Sequence, residues 1–230
     1  MNSTRHQVGW MVVLLSIVVL AGCATPPAPP PPTGDTSAGQ PAPSRPAVIV
    51  SEADIEARRL ALARTGNAVD LNAVGYFMDV FRARVRRDLA DTGIAIDYRD
   101  QSILVTFPNR IGFESGSAQL TEEAAGLVDR LAAILNEYRA TLIVISGHTD
   151  NVGDPGFNRR LSEARARSVA EHLAGSGIAD ARLLIQGFGS ARPVADNSSE
   201  TGRASNRRVE LMLRLVVRQP LSDPAPSETV

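Results

Sequence analysis

Residues 142–165 read LIVISGHTDNVGDPGFNRRLSEAR: an apolar run, a polar loop holding two glycines, and the start of a stretch with helical spacing. Leu142, Ile143, Val144 and Ile145 predict a buried strand. The residues from about Gly156 to Ala174, closed by Gly175, Ser176 and Gly177, predict a helix. A loop between such a strand and helix is where α/β proteins commonly place ligand sites, since it presents polar groups that rigid elements hold still. Asp150 follows the strand and Arg165 sits inside the helix. One carboxylate and one guanidinium placed this way suit a zwitterionic ligand.

On a helical wheel at about 100° per residue, Arg165 falls between Leu161 and Val169, in the arc that also holds Ser168 and Leu173. An inward guanidinium is costly unless paired, so Arg165 wants an anion. Spacing leaves two readings open: Asp150 and Arg165 satisfy each other, or together they bind a ligand. His172 shares the arc and reads as a satisfied, half-buried residue. His148 lies beside Thr149 and Asp150, yet the nucleophile, metal partners and second base of a catalytic set are missing. The GFGS turn at 187–190 lacks the lysine of a phosphate loop and the full dinucleotide-binding spacing.

Outward from this stretch, composition narrows the class. With 230 residues, 43% hydrophobic, and a formal net charge of −1, the chain can bury a good-sized core and offers no broad attraction to nucleic acid. All 24 basic residues are arginine, which fits a GC-rich coding bias. With one cysteine, Cys23, the chain has no intrachain disulfide and no cysteine-based metal cluster, and three histidines argue against a histidine-rich metal site. No cofactor is expected.

The first 22 residues carry Arg5 and His6, an apolar run from Trp10 to Leu20, then small residues, the order of a signal peptide. The run is about half the roughly 20 residues of a membrane-spanning helix. Leu20, Ala21, Gly22 and Cys23 resemble a bacterial lipobox, in which the cysteine is acylated and becomes the mature N-terminus; Ala24 after it implies outer-membrane sorting. Residues 23–47 then read as a proline-rich spacer, favouring extended geometry of ~3.1 Å per residue.

Residues 48–93 predict a helical segment that Gly66 and Asn67 divide in two. Ser51 with Asp54 resembles a capping box with a shorter acid. Arg82, Arg84, Arg86 and Arg87 crowd the end of the second helix, where cations suit the helix dipole, and Gly93 terminates it. Ile94 to Tyr98 and Ser102 to Phe107 predict a hairpin. Thr121 is a natural N-cap for a helix running to about Tyr138. A short strand, Arg182 to Gln186, and a final strand, Val209 to Val217, close the folded part, and residues 218–230 predict a disordered tail.

The motifs HTDNVG, NRRLSEARARSVAEHL and GFGSARPVADNSSETGRASNRRVEL, with GFESGSAQLTEEA before them, resemble the OmpA-like peptidoglycan-binding domain in order and spacing, over about residues 102–217. The resemblance implies an α/β (α+β) fold: a β-α-β-α-β sandwich with a mixed sheet, here as a domain over 94–217 behind the helical segment and linker. It implies no catalysis, and a partner in peptidoglycan, through the diaminopimelate-containing stem peptide. By position it assigns Asp150 to the ligand's ammonium and Arg165 to its carboxylate, an assignment that suits a planar guanidinium fork. It places Thr149, Asn158 and Leu161 along the pocket, while Asn206 and Arg208 border the site or brace it.

The expectation is therefore a non-enzymatic outer-membrane lipoprotein, anchored by Cys23 and facing the periplasm, that tethers the envelope to the wall. The alternative is a regulatory or assembly lipoprotein whose segment 54–89 binds a protein partner, with wall binding only for localisation. The Phe77, Val80 and Phe81 face discriminates the two by its burial. A flagellar-type stator subunit is disfavoured, since no acid precedes Asp35.

Overall fold

The computed structural model describes residues 47–48, 51–90, 92–108, 112–114 and 116–218. The signal peptide, Cys23, most of the proline-rich spacer and nearly all of the tail lie outside the described residues. Those described belong to one compact unit, Pro41–Val230. Its elements in chain order are β1 (Ala47–Val48), α1 (Glu52–Ala63), β2 (Val69–Asp70), a 3-10 turn (Leu71–Ala73), α2 (Val74–Leu89), β3 (Ala95–Arg99), β4 (Ser102–Pro108), α3 (Glu122–Glu137), β5 (Thr141–His148), α4 (Pro155–Gly175), β6 (Leu183–Gly187), α5 (Glu200–Asn206), β7 (Arg208–Leu215) and β8 (Val217–Arg218).

The sheet runs β1-β6-β5-β7-β4-β3, and β2 pairs separately with β8. β5 and β6 are parallel, whereas β7 runs antiparallel to both β5 and β4, so the sheet is mixed. Alternation sorts the side chains. Ile143 and Ile145 of β5, Leu183 and Ile185 of β6, and Val209, Leu211 and Leu213 of β7 enter the main core with α2, α3 and α4. Leu142, Val144 and Leu184 turn to the other face and meet Ile55 and Leu62 of α1. β5 is thus buried at every position, which explains its uninterrupted apolar run.

Local chemistry sets the helix starts. Ser51 and Asp54 make both halves of a capping box, and Thr121 accepts the Ala124 amide at 3.1 Å. Asp154 caps α4 by accepting the Phe157 amide at 2.7 Å, with Pro155 at the first helical position. The discriminating face of α2 is largely inward: Phe81 is 1% exposed and stacks on Tyr138 at 4.7 Å, and Phe77 meets the same ring edge-on at 5.4 Å. Val80 lies outside this cluster, at 39% exposure.

Several features escape the sequence: β2 and a 3-10 turn interrupt the segment 48–93 that reads as helical, and Arg218, read as tail, lies in β8 and pairs with Asp70 of β2. α5 is a short helix where the sequence reads as loop, capped by Ser199 and seated where Gly202 meets the Asp196 backbone. Arg182, placed by sequence in a strand, ends a 3-10 turn (Asp180–Arg182) and is buried. Among the described residues no helix is long and apolar enough to cross a membrane.

Candidate ligand site

β5 ends at His148, and burial continues through Thr149 and Asp150. Backbone and side-chain bonds fix this loop. The Thr149 amide donates to Gly189 O at 2.9 Å, and its hydroxyl donates to Asp150 O at 2.9 Å. Asp150 Oδ1 accepts the Val152 amide at 3.1 Å, an Asx-type turn. From the first turn of α4, buried Asn158 donates to Val152 O at 2.9 Å, tying helix to loop. Leu161, one turn on, is half-buried.

α4 can bring its inner face close because Gly147 and Gly187 are register partners on β5 and β6. A Cβ on Gly147 would stand 1.9 Å from Ser162 O, and one on Gly187 would stand 2.6 Å from the Glu163 amide nitrogen. One turn beyond this crossing, Arg165 is 4% exposed. Its Nε donates to Ser117 O at 2.9 Å, and its guanidinium lies 5.2 Å from the Phe113 ring centroid. The segment before α3 therefore forms one wall of the site.

Asp150 and Arg165 do not pair with each other. Asp150 Oδ2 meets Arg207 Nη1 at 2.7 Å, and Arg207 Nη2 meets Glu200 at 2.7 Å. Arg165 makes no ion pair among the described residues. Burial pushes its guanidinium below the usual arginine range, the Arg207 charge adds to that, and the attraction of Asp150 opposes it. Two cations thus flank one buried carboxylate, and the one on α4 has donors left for an anion. The bonds to Asp150 and Glu200 hold Arg207 above its ordinary range. Sequence reasoning missed Arg207; its only signal is its place in the Asn206-Arg207-Arg208 run.

The two neighbours of Arg207 do different work. Asn206 is fully buried and accepts the Val194 and Ala195 amides at 2.8 and 3.0 Å, so it stitches the 194–197 loop. Arg208 turns to the α1 face of the sheet, where it bonds Glu210 at 2.7 Å and lines a cavity with Ser146 and Met212. Asn206 thus holds the loop beside the site, whereas Arg208 stands on the opposite face of the sheet from Arg165. His172 pairs with Asp129 at 2.8 Å and is half-buried, as the sequence suggests. No cluster of three or more metal-ligating side chains occurs among the described residues.

His148, also on the α1 face, stands 3.5 Å from Glu210. Burial pushes the imidazole below its usual range, with Arg208 and Arg192 adding to that and Glu210 opposing. Burial alone would raise Glu210, but His148 and Arg208 override it and bring it to about 2. The sign is then fixed. Below about pH 6.5 the unfolded chain protonates His148 while the folded one resists. Stability therefore falls as pH drops from that value toward the depressed folded one. Glu210 adds a second loss between about 4.5 and 2. Urea unfolding at pH 7 and pH 5 should show lower stability at pH 5, and His148→Gln should flatten that difference.

The model of the OmpA family matches residues 112–207. The outer-membrane lipoprotein YfiB of Pseudomonas aeruginosa is 32% identical over 117 residues, covering 51% of this chain and 70% of that protein. The chain belongs to the OmpA family. Probable lipoprotein YiaD of Escherichia coli is 40% identical over 140 residues, 61% of this chain. The chain spans 64% of the length of YiaD. Among solved structures, the cell wall anchor of the type VI secretion system from Pseudomonas aeruginosa superposes with a TM-score of 0.52 at 30% identity, over 59% of this chain and 96% of that one. The OmpA-family match takes in Phe113, Asp150, Arg165 and Arg207, and stops short of Arg208.

Proposed function

We propose that this OmpA-family chain is a non-enzymatic lipoprotein, anchored in the outer membrane through Cys23 and facing the periplasm. It tethers the envelope to the wall by binding the diaminopimelate stem peptide of peptidoglycan without covalent chemistry. The observation that carries the reading is the buried Asp150 beside Arg165, whose guanidinium has no ion pair among the described residues. A diaminopimelate side arm ends in an ammonium and a carboxylate on one carbon. Asp150 receives the ammonium, and Arg165 offers its fork to the carboxylate. Thr149, Asn158 and Leu161 hold that geometry, and Asn206 braces it. The relatives' names, an outer-membrane lipoprotein and a cell wall anchor, support both halves of the reading.

Purified sacculi should retain the wild-type protein and release Asp150→Ala and Arg165→Ala, each weakened at least tenfold, with free diaminopimelate competing. Full retention of both variants would overturn the site. The alternative, a protein partner bound through 54–89, finds less support: Phe81 and Phe77 are engaged with Tyr138, which favours a structural role for α2.

A further inference from the structure

On the face of the sheet that α1 covers lies a cavity of about 290 Å³, lined in part by Ser146, His148, Gln186, Phe188, Arg208 and Glu210. The wall-binding proposal makes no use of it. His148 is 2% exposed; its Nδ1 has no hydrogen-bond partner, and its Nε2 faces only Glu210, at a long 3.5 Å. A neutral imidazole carries one donor and one acceptor, and buried polar atoms left without partners are rare enough to need a reason. The His148 ring stacks on Phe188 at 5.3 Å, and Phe188 also carries the Arg192 guanidinium, 3.8 Å from its centroid.

The charges of the cavity leave a remainder. Arg208 pairs with Glu210, Arg214 reaches Glu52 across to α1, and Arg99 pairs with Asp97. Arg192 also lines the cavity, and it has no ion pair among the described residues. It lies over an aromatic ring, a contact that leaves its N–H donors available to an anion. One cation is therefore uncompensated, next to a polar recess into which the unpartnered His148 Nδ1 brings unused hydrogen-bonding capacity. Its size falls at the small end of ligand pockets, which run from ~300 Å³ upward, so it suits a molecule of amino-acid scale.

We propose that this cavity is a second binding site, for a small molecule bearing one carboxylate and an amide. The carboxylate pairs with Arg192, and the amide reaches inward toward Gln186 and His148. N-acetylglycine is the minimal probe of this chemistry.

The test is a titration of the full-length protein in detergent with N-acetylglycine at constant ionic strength, following the His148 ring resonances by NMR. A saturable shift is expected, with Kd on the order of 1 mM. Arg192→Gln, at an exposed position that does not threaten folding, should raise that Kd at least tenfold, while Arg130→Gln, at an exposed position of α3 outside both sites, leaves it unchanged. The proposal is overturned by the absence of saturation in the tens of millimolar, by equal binding of N-acetylglycinamide, or by an Arg192→Gln titration that matches wild type. Since the readout is at His148, failure here would leave the sacculus result for Asp150 and Arg165 standing, and the reverse also holds.

Discussion

Gly147→Ala is expected to destabilise the protein by about 3 kcal/mol or more, the upper range for overpacking a well-filled site. The new Cβ would fall 1.9 Å from Ser162 O and 2.7 Å from Ser162 C, inside any tolerable contact. Both neighbours are backbone of α4, so no side-chain rotation relieves the clash, and the helix itself must lift. Lifting it breaks the bond from the Gly189 amide to Ser162 Oγ, now 2.9 Å, and moves Arg165 away from Ser117 O. Stability and ligand binding should fall together. Urea unfolding of Gly147→Ala beside Gly126→Ala makes the comparison clean. Gly126 lies within α3, and a Cβ there meets nothing within 4 Å. That second variant should gain about 0.5–1 kcal/mol from helix propensity. Equal behaviour of the two variants would contradict the close approach of α4 to the sheet.

The same crossing shows what the sequence could and could not disclose. Ser51 with Asp54, and Thr121 before two glutamates, announce helix starts because capping is decided within four residues. The run 142–145 announces a strand for the same local reason. The partners of the two charged site residues are not local. Asp150 meets Arg207, 57 positions on, and Arg165 donates to the carbonyl of Ser117, 48 positions back. A carbonyl carries no side-chain signature, so Arg165 could be read as inward-facing but not given its partner. Of the two readings the spacing leaves open, the mutual salt bridge is absent: Arg207 takes Asp150 and leaves Arg165 without an ion pair among the described residues. α5 was illegible for a different reason: its sequence ETGRASN offers no apolar face, and its place depends on Gly202 packing against Asp196.

The second large effect is expected at Arg182, where Arg182→Met should cost about 3 kcal/mol or more. Arg182 is buried, and burial together with the Arg139 charge pushes its guanidinium down to about 10. The charge is therefore held at a cost, and its hydrogen bonds offset that cost. Nε donates to Thr141 O at 2.9 Å, Nη1 to Leu135 O at 2.9 Å, and Nη2 to Tyr138 O at 3.1 Å and to the Thr141 hydroxyl at 2.5 Å. Leu135 and Tyr138 lie at the C-terminal end of α3, where helix carbonyls lack internal partners and the helix dipole favours a cation. One side chain thus closes α3 and fastens it to the start of β5, the strand whose far end leads into the Asp150 loop. Methionine fills a similar volume and leaves the buried carbonyls unpaired, which is the expensive half of losing a hydrogen bond. Lysine keeps the charge but lacks the planar fork that spans three carbonyls, so Arg182→Lys should recover less than half of the loss. Urea unfolding of the two variants checks the order: wild type, then lysine, then methionine. A methionine variant as stable as wild type would mean that the cost of burying the charge equals everything its bonds return.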